Sequence, residues 1–168
     1  MQTLDKDDFR TIIEDARARH AAVVALIYFN DTQAMNLLRL YLSIGVASAS
    51  AAVAGLTQTT AIPFAVGCAL GAATAVVLLG AVLCLMAMAS GAINLPGRDP
   101  DFWLWGLDPQ IEKQNVLRKY LENLAEKAKT NRDLSERGAI ALKYAKYCAV
   151  AAMVAASVVG AIALRLTS

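Results

Sequence analysis

The feature that most constrains this chain is a long stretch without charge: no Asp, Glu, Lys or Arg occurs in residues 40–97. A soluble fold has no reason to keep so many consecutive residues uncharged. A lipid bilayer does, because a charge at its centre costs at least about 2.5–3.5 kcal/mol. Of the 168 residues, 57% are hydrophobic, which exceeds the roughly 45–50% of soluble domains. The sequence therefore predicts an integral membrane protein.

Three segments are candidates for spanning helices. Residues 37–56 and 63–93 are joined by a short uncharged link, so they form a predicted hairpin. Pro63 suits the first turn of the second helix, and the proline- and glycine-containing run 94–100 ends it. The third candidate, residues 147–164, is close to the minimum length for a span.

Two amphipathic helices are predicted outside the bilayer. In residues 5–33, apolar side chains recur at three- and four-residue steps. A second such pattern occupies residues 108–140, with Asp108 as its cap and a proline next, and its spacing suggests antiparallel or oligomeric packing with the first. The predicted fold is an all-α membrane protein with three transmembrane helices, a hairpin plus a C-terminal span, and two cytoplasmic amphipathic helices. Its predicted segments are 1–36, 37–93, 94–140 and 141–166.

The distribution of basic residues predicts the orientation. The link between the first two spans contains no Lys or Arg, whereas the segments before the first span and before the third are rich in both. The positive-inside rule then places the N-terminus and the large loop in the cytoplasm.

The polar content of the spans bears on the class of protein. Their interiors contain hydroxyl groups but nothing ionisable, which argues against an ion-coupled transporter and against a membrane enzyme. The single histidine, His20, lies outside the spans and is expected to be structural. Cys68, Cys84 and Cys148 lack paired spacing, so we expect buried reduced thiols, no metal site and no cofactor.

Small residues recur every four positions in each span, which lets helix backbones approach closely. We expect these stripes to pack helices within and between subunits of a homo-oligomer surrounded by lipid. They are Ser43, Ala47, Ala51 and Gly55 in the first span, Gly67 and Gly71 in the second, and Ala152, Ala156 and Gly160 in the third.

One set of residues outside the spans could bind a ligand, because tryptophan can stack on a base and arginine can bind a phosphate through two hydrogen bonds. Alternatively, the tryptophans are interfacial anchors and the arginines belong to a solvated helix face. With a net charge of about +2 and no basic stripe, no binding of a nucleic-acid duplex is expected. The set comprises Arg98, Trp103, Trp105, Arg118, Asn131, Arg132 and Arg137.

The order of parts resembles the Pycsar-effector transmembrane family and the related SLATT-type proteins of bacterial nucleotide-signalling defence systems. The similarity lies in residues 28–38 (YFNDTQAMNLL), 131–138 (NRDLSERG) and 142–144 (LKY). Asp31 and Ala34 fit the turn that precedes the first span in that family, whereas Gln33 stands where a basic residue is usual.

This resemblance implies an oligomeric, non-enzymatic effector of the bacterial inner membrane. A partner enzyme would make a cyclic or linear nucleotide messenger during phage infection, and the effector would sense it in its cytoplasmic helices and permeabilise or depolarise the membrane. No catalytic residue would carry over. The alternatives are a membrane scaffold that recruits a soluble partner, and a small channel or holin-like protein with no nucleotide ligand.

Overall fold

The computed structural model describes residues 6–57, 62–88, 93–95, 97 and 100–167, and within these ranges it contains helices and no strand. The helices are α1 (Lys6–Leu56), α2 (Phe64–Met88), α3 (Pro100–Gly106) and α4 (Lys113–Thr167). The prediction of an all-α chain is therefore confirmed. The link at 58–61 and the predicted end of the second span at 89–93 fall wholly or largely outside the described residues.

Three of these helices, α1, α2 and α4, are long and apolar enough to cross a membrane, judged by length and composition. A span uses about 20 residues, whereas α1 has 51 and α4 has 55. Most of the residues of α1 and α4 therefore lie outside the hydrocarbon if each helix crosses once.

The two amphipathic helices predicted outside the bilayer are not separate elements. They are the first parts of α1 and α4, which continue without a break through the predicted boundaries at residues 36 and 140. No proline or glycine occurs in residues 21–44, and the weak helix formers among them cost only a few tenths of a kcal/mol each. Packing along the apolar face, where Ala34 and Leu38 are buried, outweighs that cost.

The start of the last helix differs from the prediction. Asp108 does not cap a helix; its carboxylate accepts a hydrogen bond from the backbone nitrogen of Gln110 at 2.9 Å, and α4 begins only at Lys113. This is an Asx-type turn, which competes with helix capping for the same side-chain oxygen. Pro63 behaves as expected, since its carbonyl accepts a hydrogen bond from Gly67 N in the first turn of α2, at 3.1 Å.

The chain divides into two compact units. The charged unit comprises Met1–Phe29 and Gly91–Glu136, and the apolar unit comprises Asn30–Ser90 and Arg137–Ser168. Each unit is therefore built from two separate stretches of the chain, and α1 and α4 contribute residues to both.

In the apolar unit α2 runs antiparallel to both long helices. Gly55 lies against Gly67 and Gly45 against Val77, whereas Gly160 lies against Ala69. It follows that α1 and α4 run parallel in this unit. They also run parallel in the charged unit, where Arg17 contacts Tyr120 and His20 approaches Asn131, so the antiparallel alternative predicted for the two charged segments is wrong and the oligomeric one stays a prediction. The reason for the parallel arrangement is that α2 returns the chain to the end of the apolar unit at which α1 enters it. The buried residues of the core are Leu38, Tyr41, Val77, Ala81, Cys84, Ala145, Cys148 and Ala152.

Most of the apolar surface of this unit is not covered by the chain itself. Only 22%, 22% and 17% of the residues in the apolar windows of α1, α2 and α4 are buried. Large side chains such as Val46, Met86 and Met153 are more than half exposed. Such a surface is stable against lipid, and it leaves room for contacts with further copies of the chain.

Candidate ligand groove

A buried polar network holds the charged unit together. Asn131 on α4 receives a hydrogen bond from Asn94 N at 3.0 Å and donates one from its amide nitrogen to Asn94 O at 2.8 Å. The same carbonyl lies 2.9 Å from Nε2 of His20 on α1. His20 and Asn131 are both fully buried. Two helices and the loop after α2 thus meet at one peptide carbonyl.

This contact determines which nitrogen of His20 carries a proton. A carbonyl oxygen can only accept, so Nε2 is the N–H donor, and the 3.4 Å approach of the Asn131 amide nitrogen to Nε2 joins two donors rather than a donor and an acceptor. In the neutral ring Nδ1 is then an acceptor. Nδ1 is buried and has no hydrogen-bond partner among the residues that the structure describes, which ordinarily costs about 1–3 kcal/mol.

His20 also forms part of the wall of a groove between α1 and α4. The groove has a volume of about 480 Å³, within the range of about 300–1,000 Å³ found for small-molecule sites. Alanines provide much of its apolar wall, so the two helices leave space between them. The lining residues are Asp15, Ala16, Arg19 and His20 from α1 and Leu121, Leu124, Ala125, Ala128, Lys129 and Arg132 from α4.

The charges around the groove are unbalanced. Arg19, Lys129 and Arg132 contribute three positive charges, and Asp15 contributes one negative charge. None of the three cations has a hydrogen-bond or ion-pair partner among the described residues. A groove lined with unpaired cations attracts anions, and its low-dielectric walls concentrate that field.

A second cluster joins α3 to the two long helices. Tyr120 on α4 is buried and accepts a hydrogen bond from Nε of Arg17 at 2.7 Å. The rings of Phe102 and Trp103 lie 6.2 and 5.8 Å from the Tyr120 ring. The exposed side chains of this segment include large apolar ones, because Leu107 is 77% exposed and Trp105 is 43% exposed. This arrangement favours an interfacial anchor over a stacking site for a base.

We expect the fluorescence of the reconstituted protein to be quenched by lipids brominated near the headgroup, and less by lipids brominated at the chain end. Trp103 and Trp105 are the only tryptophans of the chain, so the emission reports on α3 alone. Acrylamide in the aqueous phase provides the comparison. Emission that responds to acrylamide but to neither lipid would contradict the anchor.

The structure brings together two of the predicted ligand residues. Asn131 belongs to the polar network and Arg132 lines the groove. Arg118 instead donates to Glu122 at 2.9 Å on the exposed face of α4. Arg137 is exposed and belongs to the apolar unit, and Arg98 lies outside the described residues.

Sequence reasoning missed the role of His20 and three charged residues of the groove: Asp15, Arg19 and Lys129. His20 falls on the apolar stripe of α1, which was a sign of burial, and a buried imidazole requires partners. The charged residues gave no such sign, because only the pairing of α1 with α4 brings them to one groove.

The small residues of the three stripes differ in how far they pack against other helices of the same chain. Gly55 and Gly67 meet backbone to backbone, since a β-carbon on Gly55 would lie 2.8 Å from Gly67 Cα. Ser43 and Ala47 are exposed, Ala51 and Ala156 are half-buried, and Ala152 is buried in the core. The proposed contacts of these stripes between subunits stay a prediction.

One close approach was not predicted. A β-carbon on Gly80 would lie 2.7 Å from the Tyr41 ring and 3.0 Å from Cys148 Cβ. The missing side chain makes room for the ring, whose hydroxyl donates to the carbonyl oxygen of Ala145. Cys84 and Cys148 are unpaired and buried as expected, whereas Cys68 is only half-buried.

Of the stretches that carry the family resemblance, residues 30–38 and 142–144 lie in the apolar unit, whereas residues 131–136 lie in the charged unit. Gln33 Oε1 accepts a hydrogen bond from Lys146 Nζ at 2.9 Å, so α4 supplies a cation beside the position where a basic residue is usual. Ala34 is fully buried against Ala87 and Leu142. No family model, curated protein or solved structure matches this chain.

Proposed function

We propose that this protein is an oligomeric effector of the bacterial inner membrane, with its charged unit in the cytoplasm, that responds to a nucleotide messenger in anti-phage defence by permeabilising or depolarising the membrane. The observation that carries the proposal is a groove whose three cations pair with none of the described residues, in a chain with three helices long and apolar enough to cross a membrane. An anionic messenger has a place to bind, and the apolar surface left uncovered can pack against other copies.

The connection between binding and the membrane would be the long helices themselves. Asp15, Arg19 and His20 lie on α1, and Lys129 and Arg132 lie on α4. Both helices continue unbroken to the apolar residues that would span the bilayer. A ligand that changes the distance between α1 and α4 at the groove therefore acts on the same two helices that would line a pore or disrupt the bilayer.

The test is a membrane-potential assay on liposomes containing the purified full-length protein. Cyclic mononucleotides, cyclic dinucleotides and linear oligonucleotides are added to both sides, and a voltage-sensitive dye is followed. We expect one class to collapse an imposed potassium diffusion potential, and protein-free liposomes to keep it.

The other outcomes identify the alternatives. Collapse of the potential without any nucleotide would favour a small channel or holin-like protein. A stable potential with every nucleotide would refute the effector and leave the scaffold, whose partner would then be sought with the full chain.

A further inference from the structure

We infer that the groove between α1 and α4 binds a nucleotide-sized phosphate ester, with its phosphate on Arg19, Lys129 and Arg132 and a hydroxyl or N–H of the ligand donating to Nδ1 of His20. The inference deepens the proposed function, because it names the residues and the ligand chemistry of the sensing step.

The requirement for a donor comes from the network. Asn94 O fixes the proton of the neutral His20 ring on Nε2, which leaves a lone pair on Nδ1 with no partner in the described ranges of the chain. An unprotonated phosphate oxygen cannot satisfy this atom while the ring is neutral, because two acceptors would face each other. A ligand that fits must therefore offer a donor as well as an anion.

The requirement for an anion comes from the charged residues that line the groove. Three cations against one carboxylate, Asp15, leave a surplus of two positive charges. A phosphate ester carries up to two negative charges and offers several acceptor oxygens to guanidinium and ammonium groups.

The remaining surface is apolar, because Leu121, Leu124 and three alanines line the groove. This surface suits a flat ring system, and the volume of about 480 Å³ suits a molecule of the size of a nucleotide. Inorganic phosphate would fill only part of it. Since His20 is fully buried, the ligand reaches Nδ1 only if the two helices separate slightly, which is the change that the proposed function needs.

The single histidine makes the test direct. Full-length protein labelled with ¹⁵N-histidine is placed in nanodiscs at pH 8, and the two ring nitrogens are observed by NMR. In the free protein we expect the Nε2–H tautomer. Addition of AMP, cyclic AMP or cyclic di-AMP is expected to move the Nδ1 resonance in at least one case, whereas adenosine and inorganic phosphate are expected to act at least tenfold more weakly.

The variant Arg132→Glu is expected to weaken the effective ligand at least tenfold without changing the tautomer, because Arg132 touches the groove but not the network. Arg118→Gln, on an exposed face of the same helix, is the matched control and should leave the affinity unchanged. Lys129→Glu should reproduce the loss if Arg132→Glu lowers the yield of folded protein.

An Nδ1–H tautomer in the free protein, or an Nδ1 resonance that no phosphate ester moves, would overturn the inference. Collapse of the membrane potential without movement of Nδ1 would also overturn it while leaving the effector function intact. Movement of Nδ1 that Arg132→Glu abolishes, without collapse of the potential, would support the site and refute the effector.

Discussion

Replacing Gly67 with alanine is expected to destabilise the α1–α2 hairpin by about 2–3 kcal/mol, near the upper end of the usual cost of overpacking. A β-carbon at this position would lie 2.9 Å from the carbonyl carbon of Gly55 and from the backbone nitrogen of Leu56. Backbone atoms of a helix cannot turn aside as the end of a side chain can, so the two helices must move apart. The measurement is unfolding of the purified protein in mixed micelles by increasing SDS.

Gly71→Ala is the matched control, one helical turn further along α2. The nearest atom to its added β-carbon would be Ala52 Cβ at 4.0 Å, an ordinary contact. Alanine is a better helix former than glycine by up to about 1 kcal/mol, so this variant should be as stable as the wild type or more so. Equal losses at Gly67 and Gly71 would show that α1 and α2 do not cross as described.

The second large effect is expected for Asn131→Leu, which removes the side chain that accepts from Asn94 N and donates to Asn94 O. The carbonyl keeps its hydrogen bond from His20, so the Asn94 N–H is the group that loses its partner. Leucine has nearly the same shape, so the loss isolates hydrogen bonding. Leaving a buried polar group unsatisfied costs about 1–3 kcal/mol. Asn94 is only half-buried, and we therefore expect a loss of about 1–2 kcal/mol in the stability of the charged unit.

Hydrogen exchange in nanodiscs provides the measurement, because it reports residues 93–95 separately from the apolar helices. Exchange of the Asn94 amide should become faster in Asn131→Leu, whereas Asn115→Leu should change it little, since Asn115 is exposed on the same helix. Unchanged protection of the Asn94 amide in Asn131→Leu would show that the polar network does not stabilise the charged unit.

The apolar helices could be predicted from the sequence because amino-acid composition alone determines whether a segment can lie in a bilayer. A charge-free run as long as 40–97 has few explanations other than a bilayer, and the proline at 63 marks a helix start by its missing N–H. The continuity of α1 and α4 was harder to predict. Residues 30–36 contain Asn, Asp and Thr, whose local preferences point away from a helix, and the burial of Ala34 by α2 and α4 decides the matter.

The groove could be predicted only in part. Arg132 was identified because a guanidinium can bind a phosphate, and Asn131 was named in the same set of candidate ligand residues. Arg19 and Lys129 belong to the same groove only because α1 and α4 run parallel. The local pattern of either helix does not contain this information, since it depends on how the chain returns through α2.

The way the charged unit is assembled from distant stretches has a consequence for the order of folding. The approach of Asn131 to His20 joins residues 111 positions apart in the chain, and contacts of such high contact order form late. A nascent chain that has inserted its hairpin but has not yet been extended to α4 contains His20 without Asn131. It has only the α1 wall of the groove. The proposed response to a ligand would thus be acquired only after membrane insertion, and an incompletely synthesised chain would not respond.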